Sequence, residues 1–233
     1  MPRSQLSSEF LQYLAALPET NGEPAQLPSL SELSISLGIS VARLREQLEV
    51  AKALGLVDVR PRTGIRRRPY SFSPAVHQSL AYAIELDWQN FEKFAHLRNQ
   101  IEAVYWNEAV QALQPEDHEE LRSLLEKAWE KLRGPRVQIP HSEHRALHLV
   151  IFRRLDNPFV LGLLEAYWEA YEEIGLSDYT GYEYLQQVWE YHQKMVDAIC
   201  AGDLEAGYRA LVEHKDLIYH RPAVNAGNHQ NGA

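Results

Sequence analysis

The sequence predicts a mainly α protein, with an N-terminal winged helix-turn-helix followed by an antiparallel all-helical bundle of six or seven helices. Three observations predict this fold class. Two short amphipathic helical patterns flank the tight segment at residues 37–40, a basic hairpin pattern follows them, and beyond residue 75 every hydrophobic repeat has helical spacing. We therefore expect a small domain over residues 1–70, a helical domain over residues 75–220 and a disordered tail over residues 221–233.

Length and composition restrict the class of protein. A chain of 233 residues with 45% hydrophobic residues is long enough for two modest domains with proper cores. It has no apolar run of membrane-spanning length, so no membrane partner is expected. The N-terminus lacks the apolar core of a signal peptide, and the single cysteine, Cys200, cannot form an internal disulfide. These features predict a cytoplasmic protein.

The charge is unevenly distributed along the chain. The formal net charge is −9, yet residues 1–70 carry nine Lys or Arg against seven Asp or Glu. The remaining residues carry 14 against 25, so a mildly basic head is attached to an acidic body. An acidic body lowers non-specific affinity for DNA, which favours a binder that combines two heads in a dimer.

The helix-turn-helix is predicted from its end signals. An amphipathic helix near the N-terminus precedes it. Ser29 and Glu32 have the spacing of a capping box at the start of the next helix. Gly38 can adopt the left-handed conformation that ends this helix, and Ser40 can cap the following one. The inward stripe of that second helix is formed by Leu44, Leu48 and either Ala51 or Ala53.

Basic residues cluster where this fold would contact DNA. Arg43 and Arg45 lie near the start of the second helix, the end that a recognition helix presents to base edges. Two short alternating strands follow, with Arg60, Arg62 and Arg66 on or between them. A basic wing suits phosphate oxygens or the minor groove. The alternative is a small helix-hairpin domain with a solvated basic edge.

The N-terminal residues resemble the DNA-binding domain of GntR-superfamily transcription regulators. The resemblance spans about 40 residues and rests on five short motifs: Leu27-Pro28-Ser29, Glu32-Leu33, Leu37-Gly38-Ile39-Ser40, Leu44-Arg45-Glu46 and Gly55-Leu56-Val57. Arg45 matches an arginine that the family uses near phosphates and bases. The sequence departs from the family pattern at Ser31, Val41 and Arg43, which leaves the operator sequence open. The expected DNA-binding residues are Ser29, Ser40, Arg43, Arg45, Arg60, Arg62 and Arg66.

The rest of the chain has helical periodicity throughout. Proline and glycine residues interrupt the pattern and mark the boundaries between separate helices. Predicted helices cover residues 76–86, 88–113, 115–133, 141–155, 158–174, 179–200 and 203–219. Consecutive helices without a strand signal imply an antiparallel bundle.

Four of the ten histidines lie on inward helical stripes. His144 and His148 are four residues apart and share a face with Leu147, whereas His192 and His214 belong to stripes of two later helices. The stripe of the last helix was expected to comprise Tyr208, Leu211, His214 and Ile218. Buried imidazoles need partners for two nitrogens each, and one divalent ion could satisfy all four rings at once. The alternative is that each is a hydrogen-bonded core histidine.

These residues also resemble the FCD-type effector domain of the FadR subfamily of GntR regulators. The matching motifs are Leu97-Arg98 with Glu102, then His148, Asn157-Pro158, His192, Gly202-Asp203 and His214. The resemblance implies a divalent metal held by three histidines and an aspartate, with a small carboxylate effector beside it. His144 occupies the aspartate position, so the neutral ligand set favours zinc or nickel over manganese. Arg98 is the expected effector-binding residue, since it could donate two hydrogen bonds to the carboxylate. The alternative is that Arg98 forms a surface or interhelical salt bridge, for instance with Glu102.

The leading hypothesis is a homodimeric, metabolite-responsive transcription regulator that binds a double-stranded DNA operator, and not an enzyme. One alternative is a DNA-binding regulator whose helical domain has lost metal and effector sensing. Another is a histidine-ligated metalloenzyme, in which the ion activates water. Helical spacing places no acidic residue beside the four histidines as a general base, since Glu143 points away from His144. Spacing therefore disfavours the enzyme.

Overall fold

The computed structural model describes residues 6, 8–18, 25–61, 64–174 and 181–219, with side chains as far as residue 214. The chain divides into two compact units that meet in sequence between Tyr82 and Ala83. The sequence analysis separates the domains at residues 70–75, and these bounds stay a prediction. Arg62 and the tail over residues 221–233 lie outside the described residues.

Within the first unit, the part that precedes residue 70 has the order helix, strand, helix, helix, strand, strand. Its elements are α1 (Glu9–Ala16), β1 (Ala25–Gln26), α2 (Leu30–Leu37), α3 (Val41–Ala53), β2 (Val57–Arg60) and β3 (Gly64–Arg67). The predicted capping box is confirmed at α2, where the Ser29 amide donates to Oε2 of Glu32 at 2.8 Å and the Glu32 amide donates to Oγ of Ser29. Gly38 ends α2 with φ of 66°. Oγ of Ser40 accepts from the amide of Arg43 and caps α3.

Three strands form one antiparallel sheet in the order β1-β3-β2. The hairpin of β2 and β3 is as predicted, but β1 (Ala25–Gln26) is not among the predicted strands. This two-residue strand pairs with Arg66 and Arg67. Its conformation is set by that partner strand, so its own sequence carries no alternating pattern.

The core of the first unit lies between the three helices and the sheet. Leu44, Leu48 and Ala51 are buried on α3, as predicted, while Ala53 is exposed. The buried apolar residues of this core are Phe10, Leu14, Leu27, Leu33, Leu44, Leu48, Ala51, Val57 and Ile65. Burial of α2 and α3 on this side leaves the opposite side of α3, with Arg43 and Arg45, exposed.

The remainder of the described chain is helical. The helices are α4 (Ser73–Leu86), α5 (Gln89–Ala112), α6 (Pro115–Arg133), α7 (His141–Phe152), α8 (Pro158–Glu173), α9 (Tyr182–Ala201) and α10 (Leu204–Tyr219). The predicted mainly α fold, with a bundle of six or seven helices after the winged module, is confirmed. Among the helices of the described residues, none is both long and apolar enough for a bilayer crossing.

The order of packing in the bundle brings α7, α9 and α10 together. Helix α9 packs along α10, α6 packs on both α7 and α9, and α5 contacts α7, α8 and α10. Gly202, with φ of 74°, ends α9, and Oδ1 of Asp203 caps α10 by accepting from the amide of Ala206. The short turn makes α9 and α10 antiparallel neighbours. The inward stripe predicted for α10 is wrong at Tyr208, which is exposed.

Candidate metal centre and DNA-contact surface

The four histidines singled out by the sequence meet at one point inside the second unit. His144 and His148 come from α7, His192 from α9 and His214 from α10. One ring nitrogen from each can be chosen such that all four atoms lie within 4.8 Å of one another. The Nε2 atoms of His148 and His192 are 3.1 Å apart. Four imidazoles at such distances could share one metal ion.

Burial makes this cluster costly unless the ring nitrogens have partners. His148, His192 and His214 are almost fully buried, and His144 is partly buried. Nε2 of His144 and Nδ1 of His192 are buried atoms for which the described residues provide no hydrogen-bond partner. A buried polar atom without a partner costs about 1–3 kcal/mol. The donor set therefore fits a divalent transition metal, since coordination occupies imidazole lone pairs.

The environment also fixes the charge of two of these rings. Burial lowers the pKa of His144 and of His192 well below the usual value for histidine, and neighbouring imidazoles lower both further. Both rings are therefore neutral at neutral pH. The neutral imidazole is the form that binds a metal.

A buried carboxylate and a buried guanidinium adjoin the cluster from α5. Oε1 of Glu102 lies 2.8 Å from Nη2 of Arg98 and 3.2 Å from Nδ1 of His148. Nη2 of Arg98 is also 2.9 Å from Nδ1 of His148. The prediction that no acidic residue lies beside the histidines is thus wrong. Spacing within a helix could not reveal this contact, because Glu102 reaches His148 across the interface of α5 and α7.

A small cavity of about 50 Å³ opens beside the histidines. Its walls include Arg98, His144 and His214, together with aromatic rings that come mainly from α8 and α9. These aromatic residues are Tyr167, Trp168, Tyr171, Tyr184 and Trp189. The guanidinium carbon of Arg98 lies 4.9 Å from the ring centre of Tyr167 and 5.1 Å from that of Trp168. Cation–π contact of this kind holds the guanidinium at the cavity wall.

Sequence reasoning missed most of this aromatic lining. Trp189 precedes His192 by three residues, so helical spacing alone relates these two side chains. Tyr167, Tyr171 and Trp168 come from α8, whose placement against α5 and α7 is a tertiary contact, and Tyr184 comes from α9. The buried Nε1 of Trp168 has no acceptor among the described residues.

The predicted DNA-binding residues of the helices lie in the first unit with local structural roles. Ser29 and Ser40 are the N-caps of α2 and α3. Arg43 is exposed, and its Nη2 lies 2.7 Å from Oε1 of Glu9 on α1. Arg45 is exposed on α3. The two arginines are accessible at the N-terminal half of this helix, as a recognition helix requires.

The wing contributes two further arginines to the described surface. Arg60 is exposed and pairs with Asp58, at 2.6 Å between Nε and Oδ2. Arg66 is exposed on β3, and its Nε donates to Oε1 of Gln26 at 3.3 Å. Exposed contacts such as the Arg60–Asp58 ion pair and the Arg66–Gln26 hydrogen bond contribute little to stability. Both guanidinium groups can therefore exchange their partners for phosphate oxygens at low cost.

Comparison with known proteins identifies the second unit. Residues 93–217 match the family model described as the FCD domain. No curated protein matches the sequence of the chain.

Solved structures resemble the chain over most of its length. The chain superposes on Streptococcus agalactiae GntR with a TM-score of 0.66 and 16% identity, over 91% of this chain and 94% of that chain. Escherichia coli McbR/YncC gives a TM-score of 0.47 and 21% identity, over 92% of this chain and 97% of the other. The first likeness supports the same fold, from the winged module to the last helix of the bundle.

Proposed function

Because the chain belongs to the FCD domain family, we propose that it is a DNA-binding transcription regulator of the GntR type. In this proposal, a divalent metal and a small carboxylate metabolite in the helical unit control operator binding by a homodimer. The observation that carries this proposal is the convergence of four imidazoles, with ligand atoms within 4.8 Å of one another. Three of these histidines are almost fully buried.

The proposed metal ligands are His144, His148, His192 and His214. Zinc or nickel suits this set better than manganese, because imidazole is a softer ligand than carboxylate and the four rings bring no negative charge. His144 stands where the family resemblance places an aspartate, so the site has one negative charge fewer than the family pattern. The buried Nε2 of His144, for which the described residues offer no partner, supports a role as a fourth ligand.

The proposed effector site is the cavity between the histidines and the aromatic rings. When bound, the metal supplies a Lewis-acid position for a carboxylate oxygen. Arg98 is at the wall of the same cavity and can donate two parallel hydrogen bonds to a carboxylate. The volume of about 50 Å³ favours an acid with few heavy atoms. Tyr167 and Trp168 hold the guanidinium in place by contact with its face.

The proposed DNA contacts lie in the first unit. Arg43 and Arg45 would read base edges or phosphates from α3, while Arg60, Arg62 and Arg66 would contact the DNA from the wing. Ser29 and Ser40 would bring the N-termini of α2 and α3 to phosphate oxygens. The acidic remainder of the chain weakens non-specific binding, so two heads in a dimer would be needed for useful operator affinity.

Coupling between the two sites requires a difference in affinity. Metal and acid control DNA binding only if they bind more tightly to one arrangement of the heads than to another. By linkage, operator DNA would then change the affinity for the acid by the same factor. This reciprocity distinguishes a sensor from a DNA-bound protein that holds a structural ion.

A gel-shift titration tests the proposal on a DNA fragment from the promoter region of the protein's own gene. We expect a specific shift whose midpoint changes when Zn²⁺ and a small carboxylic acid are added together. The His148→Ala/His192→Ala double variant should still shift the DNA but lose this response. A wild-type midpoint that is insensitive to metal and to a panel of small acids would support the alternative of a regulator without sensing.

A further inference from the structure

Nδ1 of His148 faces both a hydrogen-bond donor, Arg98, and a hydrogen-bond acceptor, Glu102. Nη2 of Arg98 lies 2.9 Å from its Nδ1, and Oε1 of Glu102 lies 3.2 Å from the same atom. The ring, the guanidinium and the carboxylate are all buried. On the opposite side of the ring, Nε2 faces Nε2 of His192 at 3.1 Å.

Only two hydrogen-bonding arrangements satisfy this geometry when the ring is neutral. Arginine can only donate and a carboxylate can only accept, whereas a neutral imidazole has one N–H and one lone pair. If Arg98 donates to Nδ1, the proton of His148 is on Nε2 and points to His192. If Nδ1 carries the proton, it donates to Glu102, and Nε2 is left with a lone pair.

The two arrangements differ in their ability to bind a metal. A protonated Nε2 cannot be a ligand, so only the arrangement with Nδ1–H donating to Glu102 is competent. Nδ1 lies closer to Nη2 of Arg98, at 2.9 Å, than to Oε1 of Glu102, at 3.2 Å, and this difference favours the first arrangement, in which Nε2 carries the proton and faces His192. A carboxylate that accepts from the far nitrogen of a ligating histidine fixes the tautomer and the ring orientation.

We infer that His148 exchanges tautomers when the site is loaded with metal. Glu102 is the positioning residue for the tautomer that binds the metal, and the exchange releases Arg98 toward the cavity. This inference rests on the proposed metal site. Nε2 releases its proton to water and Nδ1 takes up a proton from water, so one N–H bond is broken, one is formed, and the ring stays neutral. The exchange thus replaces the hydrogen bond from Arg98 to Nδ1 of His148 with one from Nδ1 to Glu102, and the charge of the buried site does not change.

Release of Arg98 follows from the distances. With Nδ1 protonated, Nδ1 and Nη2 of Arg98 would both be donors 2.9 Å apart, so Arg98 would lose its acceptor on His148. Arg98 can keep its pair with Glu102 while the rest of its guanidinium turns to the cavity that it already lines. Metal loading therefore prepares the donor for a carboxylate, and the two ligands should bind with positive cooperativity.

Long-range ¹H–¹⁵N spectra of the histidine rings in the full-length wild-type protein test the inference, with the His148 signals assigned by their loss in His148→Ala. We expect proton-bearing Nε2 in the metal-free protein and proton-bearing Nδ1 after Zn²⁺ is added. His148 with Nδ1–H in both states, while Zn²⁺ still binds, would overturn the exchange and leave the metal site intact. Failure of Zn²⁺ to bind at all would overturn the proposed metal site and the exchange with it.

Calorimetric titration of Glu102→Gln with Zn²⁺ tests whether Glu102 orients His148 or only stabilises the fold. Glu108→Gln is the control, because Glu108 is exposed on the same helix. Loss of the Glu102 carboxylate beside His148 should weaken Zn²⁺ binding by roughly tenfold to a hundredfold. Glu108→Gln should bind Zn²⁺ with the affinity of the wild-type protein. In metal-free Glu102→Gln, the dispersed backbone amide spectrum should persist, which shows a folded protein. Wild-type affinity in a folded Glu102→Gln protein would contradict the role given to Glu102.

Discussion

His148 and His192 face each other across the bundle with their Nε2 atoms 3.1 Å apart. They come from α7 and α9, which are separated in sequence by the whole of α8. Two lone pairs at this distance repel unless a proton or a cation lies between them. The relationship therefore indicates either a hydrogen bond between two neutral rings or coordination of a shared ion, and the central claim of the proposed function depends on this choice.

Substitution of His144 by aspartate should change the metal preference of the site. His144→Asp adds one negative charge and a hard oxygen ligand, so Mn²⁺ affinity should rise by roughly tenfold or more, for which about 1.4 kcal/mol of extra attraction is enough. Competition calorimetry with Mn²⁺ and Zn²⁺ measures the preference. His141→Asp, outside the four-ligand cluster, is the control. Equal Mn²⁺ affinity in His144→Asp and wild type would argue that residue 144 does not contact the metal.

The buried Asp117 should make the fold sensitive to acid. Burial raises the pKa of Asp117, but hydrogen bonds from Arg154, the Gln114 amide and Arg153 outweigh this and hold the pKa far below its usual range. Because the pKa is lower in the folded chain, the network stabilises the fold above the unfolded pKa of about 3.9, and this contribution is lost as the pH falls toward the folded value.

Urea unfolding of Asp117→Asn at two pH values checks this expectation. At neutral pH the variant should lose about 1–3 kcal/mol of unfolding free energy, because the buried carboxylate loses its charged hydrogen bonds to the half-exposed Arg153 and Arg154. Near pH 3 the difference from wild type should be smaller. Glu120→Gln is the matched control, because Glu120 pairs with the same Arg153 at a half-exposed position and should cost less than about 1 kcal/mol. A deficit in Asp117→Asn that stays constant with pH would contradict the account.

Gly207 on α10 leaves room for a buried indole. A methyl group at this position would lie 2.6 Å from Cζ2 of Trp106, whose ring is fully buried. Gly207→Ala should therefore destabilise the fold by about 1–3 kcal/mol through overpacking, despite the higher helix propensity of alanine. Urea unfolding measures the change. In Gly181→Ala, a methyl group would meet no described atom within 4 Å, so that variant should change stability by less than about 1 kcal/mol.

Arg45 should contribute to operator affinity without contributing to stability. It is exposed in the N-terminal half of α3. Arg45→Ala should weaken binding to an operator fragment by about 1–3 kcal/mol if the guanidinium contacts a base, or flatten the salt dependence if it contacts a phosphate. Fluorescence anisotropy at several salt concentrations distinguishes the two. Lys52→Ala, in the last turn of the same helix, should bind as wild type does. If Arg45→Ala binds the operator fragment as tightly as the wild-type protein, Arg45 does not contact the DNA.

Local signals explain which parts of the fold could be predicted. The capping box of Ser29 and Glu32 and the left-handed Gly38 depend on a few adjacent residues, so the sequence alone reveals them. The convergence of His148, His192 and His214 followed from inward helical stripes and from the family resemblance. In contrast, the contact of Glu102 with His148 depends on how helices pack, and no spacing within one helix encodes it.

The same reasoning explains the remaining differences. β1 exists because Ala25–Gln26 pairs with β3, a partner about 40 residues away in sequence. Tyr208 shares a helical face with Leu211 but lies beyond the edge of the packed interface, so it is exposed while Leu211 is buried. The aromatic wall of the cavity comes mainly from α8, which carries no ligand motif of its own.

The metal content of untagged protein tests the central claim most directly. The wild-type chain and the His148→Ala/His192→Ala variant would be equilibrated with equal concentrations of Zn²⁺ and Ni²⁺. Gel filtration would then remove unbound ions, and elemental mass spectrometry would measure the bound metal. The account predicts about one transition-metal ion per wild-type chain and a large loss of metal in the folded variant. Wild-type protein that retains no metal, or a variant that retains as much as wild type, would contradict it.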